Sequence, residues 1–141
     1  MLQTTYFSIF GKINNTTSVM SESNLQSNVI KYIQLQYPKV KYCASLGGQY
    51  QQFPSQRNKA KATGYVKGFP DLQICEARGG YHGLFIEVKQ LKCYATKEQK
   101  QWIVDLNERG YYACCLKGLD SIIETIDTYL SKEPTNTCLC T

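Results

Sequence analysis

Two acidic side chains and one lysine in neighbouring segments of the chain are candidates for catalysis or metal binding. Asp71 ends the run GFPD at residues 68–71, and Glu87 and Lys89 belong to the run LFIEVK at residues 84–89. Because side chains alternate between the faces of a strand, Glu87 and Lys89 project from one face. The apolar residues of the same run that project the other way, into a core, are Leu84, Ile86 and Val88. Two carboxylates and an amine on one sheet face can hold a divalent metal against a phosphodiester, which favours a nuclease.

The spacing of these residues also predicts how they would share a metal ion. Asp71 at the start of one strand and Glu87 near the end of the next can meet across a hairpin, and the carbonyl of Val88 is a further candidate ligand. Oxygen ligands of this kind suit Mg²⁺, with Mn²⁺ as the alternative ion. Lys89 could orient the attacking water or stabilise the transition state. The alternative is a surface ion pair on an exposed strand, but the apolar run before Glu87 argues against exposure.

Glu22 and Gln99 are candidates whose types admit two interpretations. Glu22 lies in the first turn of a predicted helix, where an acid often serves only as a partner of the helix dipole. Gln99 completes the capping-box pattern that begins at Thr96, yet it also lies on the apolar side of its helix, near Trp102. From the residues alone, the helix-dipole role is favoured for Glu22, and both alternatives stay open for Gln99.

The positive charge of the chain is concentrated in one stretch. The formal net charge is +5, and residues 23–70 contain no acidic side chain. Such a stretch suits a polyanion, since contacts of Lys and Arg with phosphates release counterions. The residues predicted to bind DNA are Lys41, Arg57, Lys59, Lys61 and Lys67. A solvated basic surface without a partner is the competing interpretation.

Cysteine usage and hydropathy indicate the compartment. The chain has seven cysteines, an odd number, with no CxxC pair and only one histidine, His82, which argues against disulfides and zinc. No apolar run is long enough to span a bilayer, and residues 1–19 lack the pattern of a signal peptide. We therefore expect an intracellular, cytoplasmic protein without a membrane partner, or a virus- or phage-encoded one acting in its host cell.

Hydrophobic periodicity and turn signals predict the order helix, three strands, helix, strand, helix. A long basic excursion over 49–67, with at most one helical turn, separates the first two strands. The expected helices run from Ser21 or Ser23 to about Gln36, from the Thr96 cap to Gly110, and from Leu119 to Leu130. The expected strands are 40–45, 71–76, 83–89 and 111–117, with a turn at 78–80.

Taken together, these motifs resemble the VRR-NUC branch of the PD-(D/E)xK nucleases, over about Glu22 to Leu130. The resemblance implies an α/β fold: a restriction endonuclease-like α-β-β-β-α-β core with a mixed central sheet flanked by helices, plus a C-terminal helix. It also implies Mg²⁺ or Mn²⁺ at the site, with Asp71, Glu87, Glu22 and the Val88 carbonyl as ligands, Lys89 as the catalytic lysine and Gln99 as a site residue. The domain would span 20–131, between an extension of uncertain role at 1–19 and a tail at 132–141.

The function expected from the residues and the resemblance is metal-dependent hydrolysis of DNA phosphodiesters by in-line attack of water, leaving a 5′-phosphate. The resemblance to Holliday-junction resolvases further implies selectivity for DNA structure. Symmetric cutting of a junction favours a homodimer. The alternatives are a monomeric nicking or flap-type nuclease, and a DNA-binding module that keeps the fold without catalysis.

Overall fold

The computed structural model describes residues 20–45 and 51–135, which contain four helices and four strands. The helices are α1 (Glu22–Gln36), α2 (Pro54–Ala62), α3 (Lys97–Glu108) and α4 (Leu119–Leu130). The strands are β1 (Tyr42–Ala44), β2 (Leu72–Ile74), β3 (Leu84–Lys89) and β4 (Tyr112–Lys117). The predicted α/β class with a mixed sheet flanked by helices is confirmed, and the expected additional helix follows the last strand.

The four strands form one sheet in the order β1-β2-β3-β4. β1 with β2 and β2 with β3 are antiparallel, whereas β3 and β4 are parallel and are joined by α3. The predicted hairpin between β2 and β3 is present, with Leu72 opposite Ile86. Its turn uses Gly79 and Gly80, which both have the positive φ that glycine adopts readily. β3 is therefore a central strand, paired on both edges.

One face of the sheet packs against α1 and α4 through an aliphatic core. The four-residue spacing of Leu25, Val29 and Ile33 buries one side of α1, as the periodicity predicts. The members contributed by β3 are Leu84, Ile86 and Val88, all fully buried as expected. α4 covers the rest of this face with Ile122, Ile126 and Tyr129.

The other face packs against α3 and is smaller and aromatic. Its buried members are Phe85, Leu106 and Ala113. Phe69 makes edge-to-face contacts with Phe85 and Trp102, at centroid distances of 5.7 and 5.2 Å. The apolar packing on this face stops at Phe85, and the next two side chains of β3 on this face are Glu87 and Lys89.

The main difference from the predicted element order is α2, a nine-residue helix inside the stretch expected to be an excursion with one turn. Pro54 occupies the first turn, and the side chain of Gln56 accepts a hydrogen bond from the Phe53 N–H at 3.1 Å. Ala60 is half-buried, and the other residues of α2 are exposed. A helix without a buried face has no apolar periodicity, so the pattern that reveals the other helices is missing here.

Smaller findings concern the strand ends, the thiols and the tail. β1 and β2 each have three residues, shorter than the predicted segments. The five cysteines in the described part of the chain are free thiols. At the beginning of the predicted tail, the N–H of Gly79 donates to the Glu133 carbonyl, and the N–H of Thr135 donates to the Ala77 carbonyl. The predicted extension at 1–19 and residues 136–141 lie outside the described residues.

Candidate active site

The centre of the site is a buried ion pair at the end of β3. Glu87 is 1% exposed and Lys89 is 8% exposed. Lys89 Nζ lies 2.9 Å from Glu87 Oε1 and 3.3 Å from Glu22 Oε1. The expectation that Glu87 and Lys89 share one face is therefore met, and Glu22 reaches them from the first turn of α1. The lysine is held between two carboxylates that are far apart in sequence.

Asp71 meets Glu87 and Val88 at the point where β2 begins. The N–H of Val88 donates to Asp71 Oδ2 at 2.8 Å, and the Asp71 carbonyl accepts the Ser45 N–H at 2.8 Å. On β3, the carbonyls of Gly83 and Lys89 accept hydrogen bonds from the β4 side. Because peptide groups alternate in direction along a strand, the Val88 carbonyl faces the β2 side, where Asp71 lies.

Gln99 joins the site while also capping α3. Its side-chain Oε1 accepts the Thr96 N–H at 2.8 Å, and its own N–H donates to Thr96 Oγ1 at 3.3 Å, which completes the predicted capping box. The Gln99 amide Nε2 simultaneously donates to Glu87 Oε1. The helix cap and the contact with Glu87 are therefore compatible, because one amide group supplies an acceptor to the backbone and a donor to the carboxylate.

Gly68 allows the chain before Asp71 to cross the start of α3. Its φ is +92°, and a Cβ at this position would lie 2.8 Å from the backbone carbon of Glu98. The Lys67 carbonyl accepts a hydrogen bond from Trp102 Nε1 at 3.1 Å. This close crossing fixes residues 67–71 against the helix that carries Gln99, so the glycine is required by contact as well as by conformation.

Burial and crowding of like charges shift the titration of the site. Burial is the main cause that raises the pKa of Glu87 from 4.5 to about 7, and the charge of Asp71 adds to it while Lys89 opposes it. Burial also raises the pKa of Asp71, against the Val88 N–H and the Lys89 charge. Burial opposes the charge of Lys89, but its hydrogen bond to Glu87 and the carboxylates nearby raise its pKa overall. The free site thus holds more negative groups than it can neutralise.

The donor set fits a hard divalent cation. Glu87 Oε2 is buried and has no hydrogen-bond partner among the described residues. Such an atom is costly unless something else binds it. Among residues 20–45 and 51–135, no group of three or more His, Cys, Asp or Glu side chains is arranged to hold a metal ion. Two carboxylates and a backbone carbonyl still suit Mg²⁺, because that ion usually retains several of its waters.

Comparisons with known proteins agree with this geometry. The sequence matches the VRR-NUC domain family over residues 19–119. The chain belongs to the VRR-NUC family. A solved structure described as "VRR_NUC domain protein" is similar to it, with a TM-score of 0.72 and 33% sequence identity over 83% of this chain and 93% of that chain. A comparison with curated proteins gives no match. The family is of the nuclease type, and so is this domain.

The structure separates the five basic residues predicted to bind DNA into three groups. Arg57, Lys59 and Lys61 are exposed together on α2 of this VRR-NUC domain. Lys67 lies near the site but pairs with Glu98 at 3.2 Å. Lys41 precedes β1, four residues from Ser45, which at roughly 3.3 Å per residue is about 13 Å along the strand from the level of Asp71. Lys41 is thus at the opposite end of the sheet from the site.

A further lysine of the VRR-NUC domain, which the sequence motifs do not single out, lies next to Lys89. Lys117 is the register partner of Lys89 in the parallel pair of β3 and β4, and Cys115 is the partner of Glu87. The Nζ of Lys117 lies over the ring of Tyr94, 3.6 Å from the ring centroid. The signal was available in the alternation of Cys115 and Lys117, which repeats that of Glu87 and Lys89. Recognising it required knowing that the two strands are neighbours and in this register.

None of the four described helices combines the length and the apolar character that crossing a membrane requires.

Proposed function

We propose that this VRR-NUC domain is a metal-dependent DNA endonuclease. The observation that carries the proposal is Glu87, a fully buried carboxylate with one oxygen unpartnered among the described residues, placed beside Asp71 and Lys89. Burying a charge in this way costs stability, which a structural role would not require. A cation-binding role explains both the burial and the free oxygen.

The residues that would hold Mg²⁺ or Mn²⁺ are Asp71, Glu87 and the carbonyl of Val88, with Glu22 as a fourth contributor at the edge of the site. When bound, the ion would neutralise charge on the scissile phosphate and lower the pKa of an attacking water. The raised pKa values of Asp71 and Glu87 support this assignment, since two crowded carboxylates gain most from a nearby positive charge.

Lys89 and Gln99 supply the remaining functions expected of the site. Lys89 would orient the attacking water and stabilise the charge that develops on the phosphate. Glu22 and Glu87 fix its position from two sides. Gln99 Nε2 donates to Glu87 Oε1, the oxygen that also contacts Lys89 Nζ, and Glu87 Oε2 remains without a hydrogen-bond partner among the described residues.

The basic surface of α2 would bind the DNA backbone without reading bases, through Arg57, Lys59 and Lys61. Lys67 would contribute on release from Glu98. We further propose that the enzyme selects branched DNA in the manner of a Holliday-junction resolvase and leaves 5′-phosphates. Two symmetric cuts in a junction require two sites, which favours a homodimer.

The decisive experiment measures cleavage of labelled duplex, nicked, flapped and four-way DNA in Mg²⁺, in Mn²⁺ and in a chelator. Asp71→Ala and Lys89→Ala are compared with the matched exposed controls Glu124→Ala and Lys39→Ala. We expect each site variant to lose at least about 10²- to 10³-fold in rate, as when a preorganised charge is removed. The controls should cleave like the wild type.

Separate outcomes distinguish the alternatives. Equal activity of the wild type and both site variants would refute the mechanism. Cleavage of nicks or flaps by a protein that sediments as a monomer would support the flap-type alternative over the resolvase. A wild type that cleaves nothing in either metal, yet binds DNA as tightly as Asp71→Ala, would indicate a binding module. Titration of Mn²⁺ by calorimetry, with Asp71→Ala as the control, tests metal binding independently of cleavage.

A further inference from the structure

Lys117 lies beside the catalytic lysine on the same face of the sheet. It is the register partner of Lys89 in the parallel pair of strands. Partner side chains in such a pair leave the sheet on the same side, and adjacent strands are about 4.8 Å apart. The two lysine side chains therefore leave neighbouring strands at the same register position, at the end of the sheet where the site lies.

The two lysines differ in how their charges are used. Lys89 Nζ lies between the carboxylates of Glu87 and Glu22, which neutralise it locally. Among the described residues, no carboxylate lies within 4.0 Å of Lys117, and its Nζ lies over the ring of Tyr94 instead. A ring face holds a cation in place without cancelling its charge. Lys117 thus presents a positioned positive charge next to the site.

The loop between β3 and α3 folds over this end of the sheet. The Lys89 carbonyl accepts the Gly118 N–H at 3.1 Å, and the side chain of Leu91 lies against Gly118. Tyr94 is nevertheless 77% exposed and Leu91 is 74% exposed. Both side chains therefore leave apolar surface accessible to a ligand beside the site. Because Lys117 covers one side of the Tyr94 ring, the remaining ring surface is open to solvent.

We propose that Lys117 and Tyr94 form a nucleotide-binding subsite, in which Lys117 binds the phosphate next to the scissile one and Tyr94 stacks on an unpaired base. The inference rests on the proposed function, which it deepens by naming a substrate class. An aromatic ring can stack on any base, but only on one that is not already stacked within a duplex. The subsite would therefore favour branched DNA with an unpaired nucleotide beside the cut, as in an open junction, and a flap supplies the same feature as a probe.

The test combines binding in a chelator with steady-state cleavage in Mg²⁺, using full-length protein and two DNAs, a perfect duplex and the same duplex with a flap. For Lys117→Gln we expect KM to rise about tenfold, as for the loss of a charged hydrogen bond, with kcat within about twofold. The slope of log K against log salt should decrease in magnitude by about 0.7 to 0.9, one phosphate contact. Lys117→Arg should restore the slope.

Tyr94→Leu should weaken binding of the flapped DNA by about tenfold, the scale of one base–aromatic stack, and leave the perfect duplex unchanged. Tyr94→Phe retains the ring and should bind like the wild type. Lys39→Gln is the matched control for Lys117→Gln, because Lys39 is exposed in the connection between α1 and β1, at the end of β1 away from the site. Melting curves of all variants identify any that fail to fold.

Each result decides between defined possibilities. A Lys117→Gln variant with the KM and salt slope of Lys39→Gln would overturn the phosphate contact. Equal weakening of flap and duplex by Tyr94→Leu would overturn the stacking role. A wild type that cleaves no DNA in Mg²⁺ or Mn²⁺ would contradict the proposed nuclease function, whereas a wild type that cleaves normally with an unaffected Lys117→Gln would contradict only the subsite.

Discussion

The two faces of β3 differ in what their burial achieves. Toward α1 and α4, Leu84, Ile86 and Val88 are fully buried among aliphatic side chains. Toward α3, Phe85 is buried among aromatic rings, but Glu87 and Lys89 follow it and are buried almost as completely. One strand therefore carries a face that stabilises the fold and a face that ends in charges. Burial of the aliphatic side chains stabilises the folded state, whereas burial of the charged side chains costs free energy.

The comparison indicates how a nuclease-type site is supported on such a strand. The ladder bonds to β2 and β4 hold the backbone of β3 on both sides. The aliphatic face fixes its position, so the charged face can remain crowded without rearranging. The charges are also held by hydrogen bonds from Gln99 and the Val88 N–H. The stabilising apolar side chains and the proposed site residues thus alternate along the same segment.

The sharpest test of this division is a pair of substitutions at adjacent positions of β3. We expect Ile86→Ala to lower the free energy of unfolding by about 3 to 4 kcal/mol, because it removes buried methyl groups and leaves a cavity. We expect Glu87→Gln, measured in a chelator at pH 8, to change it by less than about 1 kcal/mol or to raise it, because the raised pKa of Glu87 makes its charge a net cost in the folded state and Glu22 still pairs with Lys89. Urea denaturation measures both.

For this pair, Val29→Ala serves as a second substitution on the aliphatic side, from α1. A loss from Glu87→Gln as large as that from Ile86→Ala would show that the charged face also carries the stability of the fold.

A smaller effect is expected where the chain crosses α3. Gly68→Ala should destabilise the protein by about 2 kcal/mol more than Gly64→Ala does, because both glycines have positive φ but only Gly68 has backbone within contact distance. Gly64→Ala, with nothing within 4 Å of the added Cβ, measures the conformational cost alone. Thermal melting compares the two variants. Equal losses would mean that the contact with Glu98 contributes nothing.

The stability of the fold should also depend on pH. The pKa of Glu87 is raised from 4.5 to about 7 in the folded protein, so the folded state binds this proton more tightly than the unfolded state does. The stability contributed by this proton is fully present below about 4.5 and is lost as the pH rises through about 7. In a chelator, the free energy of unfolding of the wild type should therefore fall over this range relative to Glu87→Gln. Parallel profiles of the two proteins would contradict the shift.

Local patterns account for most of the fold. Four-residue spacing on α1 and α4, alternation on β3 and the capping box at Thr96 each depend on residues within one element, and each predicts its element. The sequence predicts at most one helical turn where α2 forms. Because the side chains of α2 are exposed, apart from the half-buried Ala60, its sequence shows no apolar periodicity. The predicted strands at 40–45 and 71–76 are longer than β1 and β2, because a strand ends where its hydrogen bonds to the neighbouring strand end, and residue type does not reveal that point.

Local patterns in the chain are enough to pick out the candidate side chains: the alternation of β3 requires Glu87 and Lys89 to share a face, and the capping box places Gln99 at a helix start. Which of these side chains meet depends on the packing of the elements. Glu22 reaches Lys89 across 67 positions, Lys41 lies at the far end of its strand, and Lys117 lies beside Lys89. The physical reason is that side-chain direction is a local property of the backbone, whereas contacts between elements depend on how the faces of the sheet pack.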